Sequence, residues 1–104
     1  MQIFHTAFRE QWAEALETGA YTWSTRGRTL ADEGFLHASR ADQVAGVLGR
    51  YYADVAPTDL VLLVIETDLL DVPWRLDPVG DDEYPHVYGP LSPSAVVETR
   101  ELPA

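Results

Sequence analysis

The sequence predicts a single α+β domain of 104 residues, with about six short strands and two main helices. Three observations carry that expectation. The run Leu60-Val61-Leu62-Leu63-Val64-Ile65 has no polar alternation, which marks a central strand covered on both faces. Apolar residues recur at helical spacing in two stretches, around Trp12 and around Val47. The other apolar segments are short and are punctuated by glycine, proline and aspartate, as strands and turns are.

In chain order, Gln2 to Thr6 reads as a first strand. Phe8, Trp12, Ala15 and Leu16 then recur on one helical face and Gly19 supplies a left-handed stop, which predicts a helix from about Arg9 to Thr18. Tyr21 and Trp23 alternate along a short strand, and Arg26-Gly27-Arg28 is an exposed loop. Thr29-Leu30-Ala31-Asp32 has the spacing of a capped helical turn that ends at Gly34. Phe35 to Ala38 is a short apolar strand. Ser39 is placed to cap the next helix, with Asp42 at its third position and Val44, Val47, Leu48 and Tyr51 on one face. Beyond the central strand, Val72 to Leu76 forms a strand near an edge, because Pro73 cannot donate to a ladder, and Pro78 to Asp82 is a turn. Tyr84 to Tyr88 is a strand with His86 and Tyr88 on the face opposite Val87. Gly89-Pro90 interrupts it, and Ser92-Pro93 caps a brief turn before a last strand from Ala95 to Leu102.

Composition narrows the function classes. Hydrophobic residues make up 46% of the chain, enough for one core, and no repeat or linker signals a second domain. The runs Leu60 to Ile65 and Leu69 to Val72 are far shorter than a membrane span, and the N-terminus enters a strand pattern with no secretory segment, so a soluble cytoplasmic protein is expected. The absence of cysteine excludes disulfides, thiolate catalysis and cysteine-bound metals. A net charge of −10 disfavours an extended nucleic-acid footprint, because such a surface repels phosphates. Asp81-Asp82-Glu83 reads as a solvated loop tip. All seven cations are arginine, which suits bidentate recognition of phosphate or carboxylate wherever one faces a cleft, although arginine-biased codons produce the same composition. Nothing in the sequence sets an oligomeric state.

Only three histidines occur, and each has an apolar, strand-like setting: Ile3-Phe4-His5-Thr6-Ala7, Gly34-Phe35-Leu36-His37-Ala38-Ser39 and Tyr84-Pro85-His86-Val87-Tyr88. An imidazole among such neighbours must be paired by the fold or face a cleft, since unpaired burial costs several kcal/mol. A shared ligand pocket is therefore expected. The histidines lack the local H-x-H or H-x-x-x-H pairing of a metal site, so no metal is assigned. Phosphate-binding glycine loops, G-x-G-x-x-G, H-E-x-x-H and G-x-S-x-G are all absent. Arg50, near the end of the second helix, is the candidate phosphate partner, and Tyr88, Tyr51 or Trp74 offers a flat surface for a ring. The bland reading makes Arg50 a solvated helix-end cation and the aromatics core.

The blocks Ile3-Phe4-His5, Glu33-Gly34-Phe35-Leu36-His37-Ala38-Ser39 followed by Gln43-Val44-Ala45-Gly46-Val47, Asp59-Leu60-Val61-Leu62-Leu63, and Tyr84-Pro85-His86-Val87-Tyr88-Gly89-Pro90-Leu91 resemble a widespread family of small bacterial proteins of unknown function. More distantly, a strand bearing His5, a strand ending His37-Ala38-Ser39, a helix carrying Val47 and Arg50, and the apolar strand Leu60 to Ile65 are similar in order to RNA 2′-phosphotransferases and the ADP-ribosyltransferase-like fold. That resemblance implies a split mixed sheet around a cleft for NAD or ADP-ribose. By position it implies that His5 binds ribose, that His37 and Ser39 orient the nicotinamide side, and that Arg50 pairs the diphosphate. His86 or Tyr88 would complete the cleft, with Tyr88 stacking and His86 as base. The chain departs from the pattern in having Thr6-Ala7 after His5, no arginine before it, and no glutamate in an obvious catalytic motif.

The expectation is thus a cleft lined by His5, His37, Ser39, Arg50, His86 and Tyr88, with His37 and His86 as the catalytic candidates and the other four as ligand-binding residues. Its occupant is a small ligand such as NAD, ADP-ribose or another nucleotide. Two alternatives stand beside this binding module: an NAD-dependent ADP-ribosyl or phosphoryl transferase, and a structural or interaction protein whose histidines merely satisfy backbone groups.

Overall fold

The computed structural model describes residues 1–102. Its centre is strand β5 (Leu60–Glu66), flanked by β1 (Gln2–Phe8) and β8 (Val96–Arg100) in the antiparallel order β1-β5-β8. Every residue from Leu60 to Ile65 is buried, which is why the run carries no polar alternation. Val61, Leu63 and Ile65 pack on one face with Ile3 and with Ala15 of helix α1 (Arg9–Thr18). Leu62 and Val64 pack on the other face with Phe4 and with Val44 of helix α3 (Val44–Tyr51). Each buried valine, leucine, isoleucine or phenylalanine among them contributes about 1.5–3 kcal/mol by leaving water.

The predicted helix stop at Gly19 is present: its φ is 87° and its N–H donates to the Ala15 carbonyl over 2.8 Å. The hairpin β2 (Trp23–Thr25) and β3 (Arg28–Thr29) follows, then the single turn α2 (Leu30–Glu33). Thr29 and Asp32 cap α2 reciprocally, Asp32 N–H to Thr29 Oγ1 at 3.2 Å and Thr29 N–H to Asp32 Oδ2 at 2.9 Å, as the sequence spacing predicts. The second sheet runs β4-β7-β6, from β4 (Leu36–His37), β7 (Asp82–Val87) and β6 (Trp74–Val79). Two backbone hydrogen bonds tie the sheets together, Phe4 N–H to the Ser39 carbonyl at 2.8 Å and Ser39 N–H to the Phe4 carbonyl at 2.7 Å.

Several boundaries differ from the sequence expectations. Among the described residues every strand pairing is antiparallel, whereas the resemblance implied a mixed sheet. Ser39 does not cap α3, because both its backbone groups are committed to Phe4; a 3-10 turn, Ala41–Gln43, intervenes, and the Arg40 N–H donates to Gln43 Oε1 at 2.9 Å. Arg28 is not in a loop but pairs across a hairpin with Thr25, the turn being eased by Gly27 at φ 74°. The segment expected as a turn over Pro78 to Asp82 is mostly strand. Pro78 is tolerated because β6 is an edge, and the turn contracts to Gly80-Asp81. Tyr21 makes only a bridge, to Leu91, and Ser92 caps nothing with its side chain. No helix of the described residues is long and apolar enough to cross a membrane.

Candidate functional site

A cavity of about 700 Å³ opens where the two sheets meet. The β1 residues His5 and Thr6 line it beside Ala38 and Ser39, a juxtaposition enforced by the Phe4–Ser39 backbone bonds. The β2–β3 hairpin brings Arg26 and Arg28, α2 brings Glu33, and α3 brings Arg50 and Tyr51. The tip of the β6–β7 hairpin, with Val79, Gly80 and Asp82, forms the remaining edge. That tip is moored by Arg40, which donates to the Glu83 carbonyl at 2.6 Å and to Asp82 Oδ1 at 3.0 Å.

The cations divide sharply. Arg9, Arg26, Arg40, Arg75 and Arg100 each sit within 3.3 Å of a carboxylate. Among the described residues Arg28 and Arg50 have no such partner, and both line the cavity. Arg50 donates to the Tyr84 hydroxyl over 3.0 Å and lies 5.7 Å from the centre of the Tyr51 ring. Gly46 makes room for it, since a Cβ there would stand 3.1 Å from Arg50 Nη1.

The histidines have three different environments. His5 is buried, with Nδ1 2.5 Å from the His37 carbonyl and Nε2 2.9 Å from the Tyr21 hydroxyl. The carbonyl can only accept, so Nδ1 carries the proton and Nε2 accepts from Tyr21. Burial pushes the pKa of His5 from 6.5 down to about 4, which keeps the ring neutral near pH 7. With both nitrogens engaged inside the fold, His5 shapes the wall and has no free nitrogen for a ligand or metal. His37 is half-buried in the cavity wall, its Nε2 3.5 Å from Glu33 Oε1; burial lowers its pKa and Glu33 opposes the shift.

His86 lies next to His37 but does not line the cavity. It is stacked on Phe35 at 4.0 Å and set edge-on to His37 at 5.2 Å. Its Nδ1 is 2.8 Å from Asp77 Oδ2, while its buried Nε2 has no partner among the described residues. Tyr88 donates to the same Asp77 carboxylate and accepts from Arg75 Nη2 at 2.8 Å. Hydrogen bonds from Tyr88 and His86 hold the Asp77 pKa below the ordinary carboxylate value.

Of the six residues expected to share a cleft, the structure therefore brings together His5, His37, Ser39 and Arg50, and sets His86 and Tyr88 in an adjoining network behind the lining. Sequence reasoning missed Arg28, placed in an exposed loop, and Glu33, treated as the tail of a helical turn. The four-residue spacing from Glu33 to His37 across Gly34 was the available signal.

A family profile described as "Protein of unknown function (DUF952)" matches residues 6–99. The chain belongs to that family. The crystal structure of protein CC0527 from Caulobacter crescentus is similar at 27% identity and a TM-score of 0.80, covering 99% of this chain and 87% of that one. A double mutant of CC0527 gives the same values. The solution structure of CC0527 gives 31% identity and a TM-score of 0.74, with 97% and 84% covered. A comparison with curated proteins finds no match. Membership in DUF952 thus establishes the family and shape over nearly the whole chain, and supplies no activity.

Proposed function

We propose that the cavity binds a small phosphate-bearing ligand of the nucleotide class, with NAD and ADP-ribose as the leading examples. One observation carries this reading: in a chain of net charge −10, the two arginines lacking a carboxylate partner among the described residues line the same cavity. An unpaired guanidinium beside a concave wall is matched to phosphate in charge and geometry. The volume of about 700 Å³ lies within the range of small-ligand sites, roughly 300–1,000 Å³. Tyr51 and Tyr84 supply ring surface beside Arg50, and the resemblance in strand order to the ADP-ribosyltransferase-like fold favours the same ligand class.

Thermal unfolding with NAD, ADP-ribose, pyrophosphate and adenosine tests the reading. A ligand present at a hundredfold its Kd stabilises by about 2.7 kcal/mol, enough to raise Tm by about ten degrees in a domain of this size. Arg28→Ala and Arg50→Ala should fold normally and lose the shift for phosphate-bearing ligands. Equal shifts for phosphorylated and unphosphorylated ligands, or none for any, would refute it.

Turnover is the second reading, and the Glu33–His37 pair favours it. A neutral imidazole in the cavity wall, its Nε2 facing a carboxylate, has the chemistry of a general base for an NAD-dependent ADP-ribosyl or phosphoryl transfer. Release of nicotinamide from NAD by wild type and its loss in His37→Ala would support it; a ligand-dependent thermal shift without product would leave the protein a binder.

A further inference from the structure

Glu33 is out of place in a cavity that receives only phosphate. Its carboxylate lines the same cavity as Arg28 and Arg50, where it repels an incoming anion. Among the described residues its one ion-pair contact is His37 Nε2, at 3.5 Å, too long for a strong hydrogen bond. Neither Arg28 nor Arg50 neutralises it, although both line the cavity. Its side chain retains 28% exposure, so the oxygens stay within reach of a ligand. An ionised carboxylate only accepts hydrogen bonds, so the cavity is built for a ligand that presents donors at one end and phosphate oxygens at the other.

On the basis of the phosphate reading above, we infer that Glu33 is a specificity-determining residue that accepts hydrogen bonds from a vicinal diol, making the ligand class a ribose-containing phosphate or diphosphate. Two adjacent hydroxyls match the two oxygens of one carboxylate, and a carboxylate on a ribose hydroxyl is a recurrent solution in nucleotide sites. Glu33 ends α2, a turn fixed by the Thr29–Asp32 cap at one end and by Gly34, φ 84°, at the other. The backbone that carries Glu33 is therefore held at a set position beside the cavity. Thr6, Thr25 and Ser39 can serve as neutral partners elsewhere in the cavity, but they do not discriminate against a bare anion as Glu33 does.

Titration calorimetry with ADP, 2′,3′-dideoxy-ADP and inorganic pyrophosphate tests the inference on wild type and Glu33→Gln. Wild type should bind ADP about tenfold or more tightly than the dideoxy compound, the factor expected for a hydrogen bond to a charged group. In Glu33→Gln that preference should collapse while pyrophosphate binds as well as before, or better once the repelling charge is gone. Equal wild-type affinity for ADP and dideoxy-ADP overturns the inference and leaves the phosphate reading intact. A Glu33→Gln variant that loses pyrophosphate and ADP in parallel also overturns it, because the residue then supports the site and reads no diol. Failure of wild type to bind any of the three probes refutes the phosphate reading itself.

Discussion

His5 gives the sharpest test of the structure, because its neutrality has a stability signature. Burial holds its pKa at about 4 in the fold against 6.5 in the unfolded chain, a difference of roughly 2.5 units. Each unit corresponds to about 1.36 kcal/mol, so the full linkage is about 3 kcal/mol. The unfolded chain takes up a proton as pH falls below 6.5 and the folded protein does not until about 4. Protonation therefore favours unfolding throughout that window, and stability rises with pH between about 4 and 6.5. Carboxylates such as Asp32, Asp77 and Glu66, held below their usual values of 3.8, 3.8 and 4.5, begin to lose their contribution as pH falls through those values, at the lower edge of the same window, and burial lowers the pKa of His37 as well. Comparing wild type with His5→Gln cancels these shared terms. Urea unfolding followed by tryptophan fluorescence at pH 7, 5.5 and 4 should show the wild type losing about 3 kcal/mol relative to the variant across the series. An imidazole proton signal from His5 that moves near pH 6.5, or a wild-type minus variant difference that is flat with pH, would refute the assignment of a buried neutral ring.

Four further outcomes follow from local geometry. Tyr21→Phe keeps the ring but leaves His5 Nε2 without a donor, which should cost about 1–3 kcal/mol by urea unfolding, and an unchanged midpoint would mean that the 2.9 Å contact carries no energy. Gly89→Ala would place a Cβ 2.6 Å from Val72 Cγ1, so about 1–3 kcal/mol of overpacking should appear, whereas Gly49→Ala, in helix α3 with nothing within 4 Å of the new Cβ, should gain about 0.8–1 kcal/mol. Leu63→Ala, at the fully buried centre of β5, should lose about 2–5 kcal/mol and lower Tm accordingly.

The parts of the fold that were legible in the sequence are those fixed by local chemistry. The unbroken apolar run of β5, the glycine stop of α1 and the Thr29–Asp32 capping box each carry their geometry within a few residues. The parts that were not legible depend on distant partners. Ser39 has the composition of an N-cap, yet residue 4 of another strand takes its backbone. Pro78 has the composition of a turn, yet an edge position asks nothing of its missing N–H. The site follows the same division. The apolar settings of the three histidines were visible, but a sequence cannot show that Tyr21 and a main-chain carbonyl satisfy His5, or that Asp77 draws His86 and Tyr88 into a network beside the cavity. Arg28 became informative only once five of the seven guanidiniums were seen to be neutralised elsewhere.

The paired Phe4–Ser39 hydrogen bonds have a bearing on how such a site can evolve. They seat His5 and Thr6 beside Ala38 and Ser39 through main-chain atoms, which every residue except proline supplies at position 39 and at position 4 alike. The aperture is thereby insulated from side-chain drift, in keeping with a relative that is 27% identical and still superposes with a TM-score of 0.80. Under that arrangement the enclosure is inherited as backbone while its upholstery is free to vary. A lineage can exchange the guanidiniums and the carboxylate that line the cavity without rebuilding the backbone join beneath them.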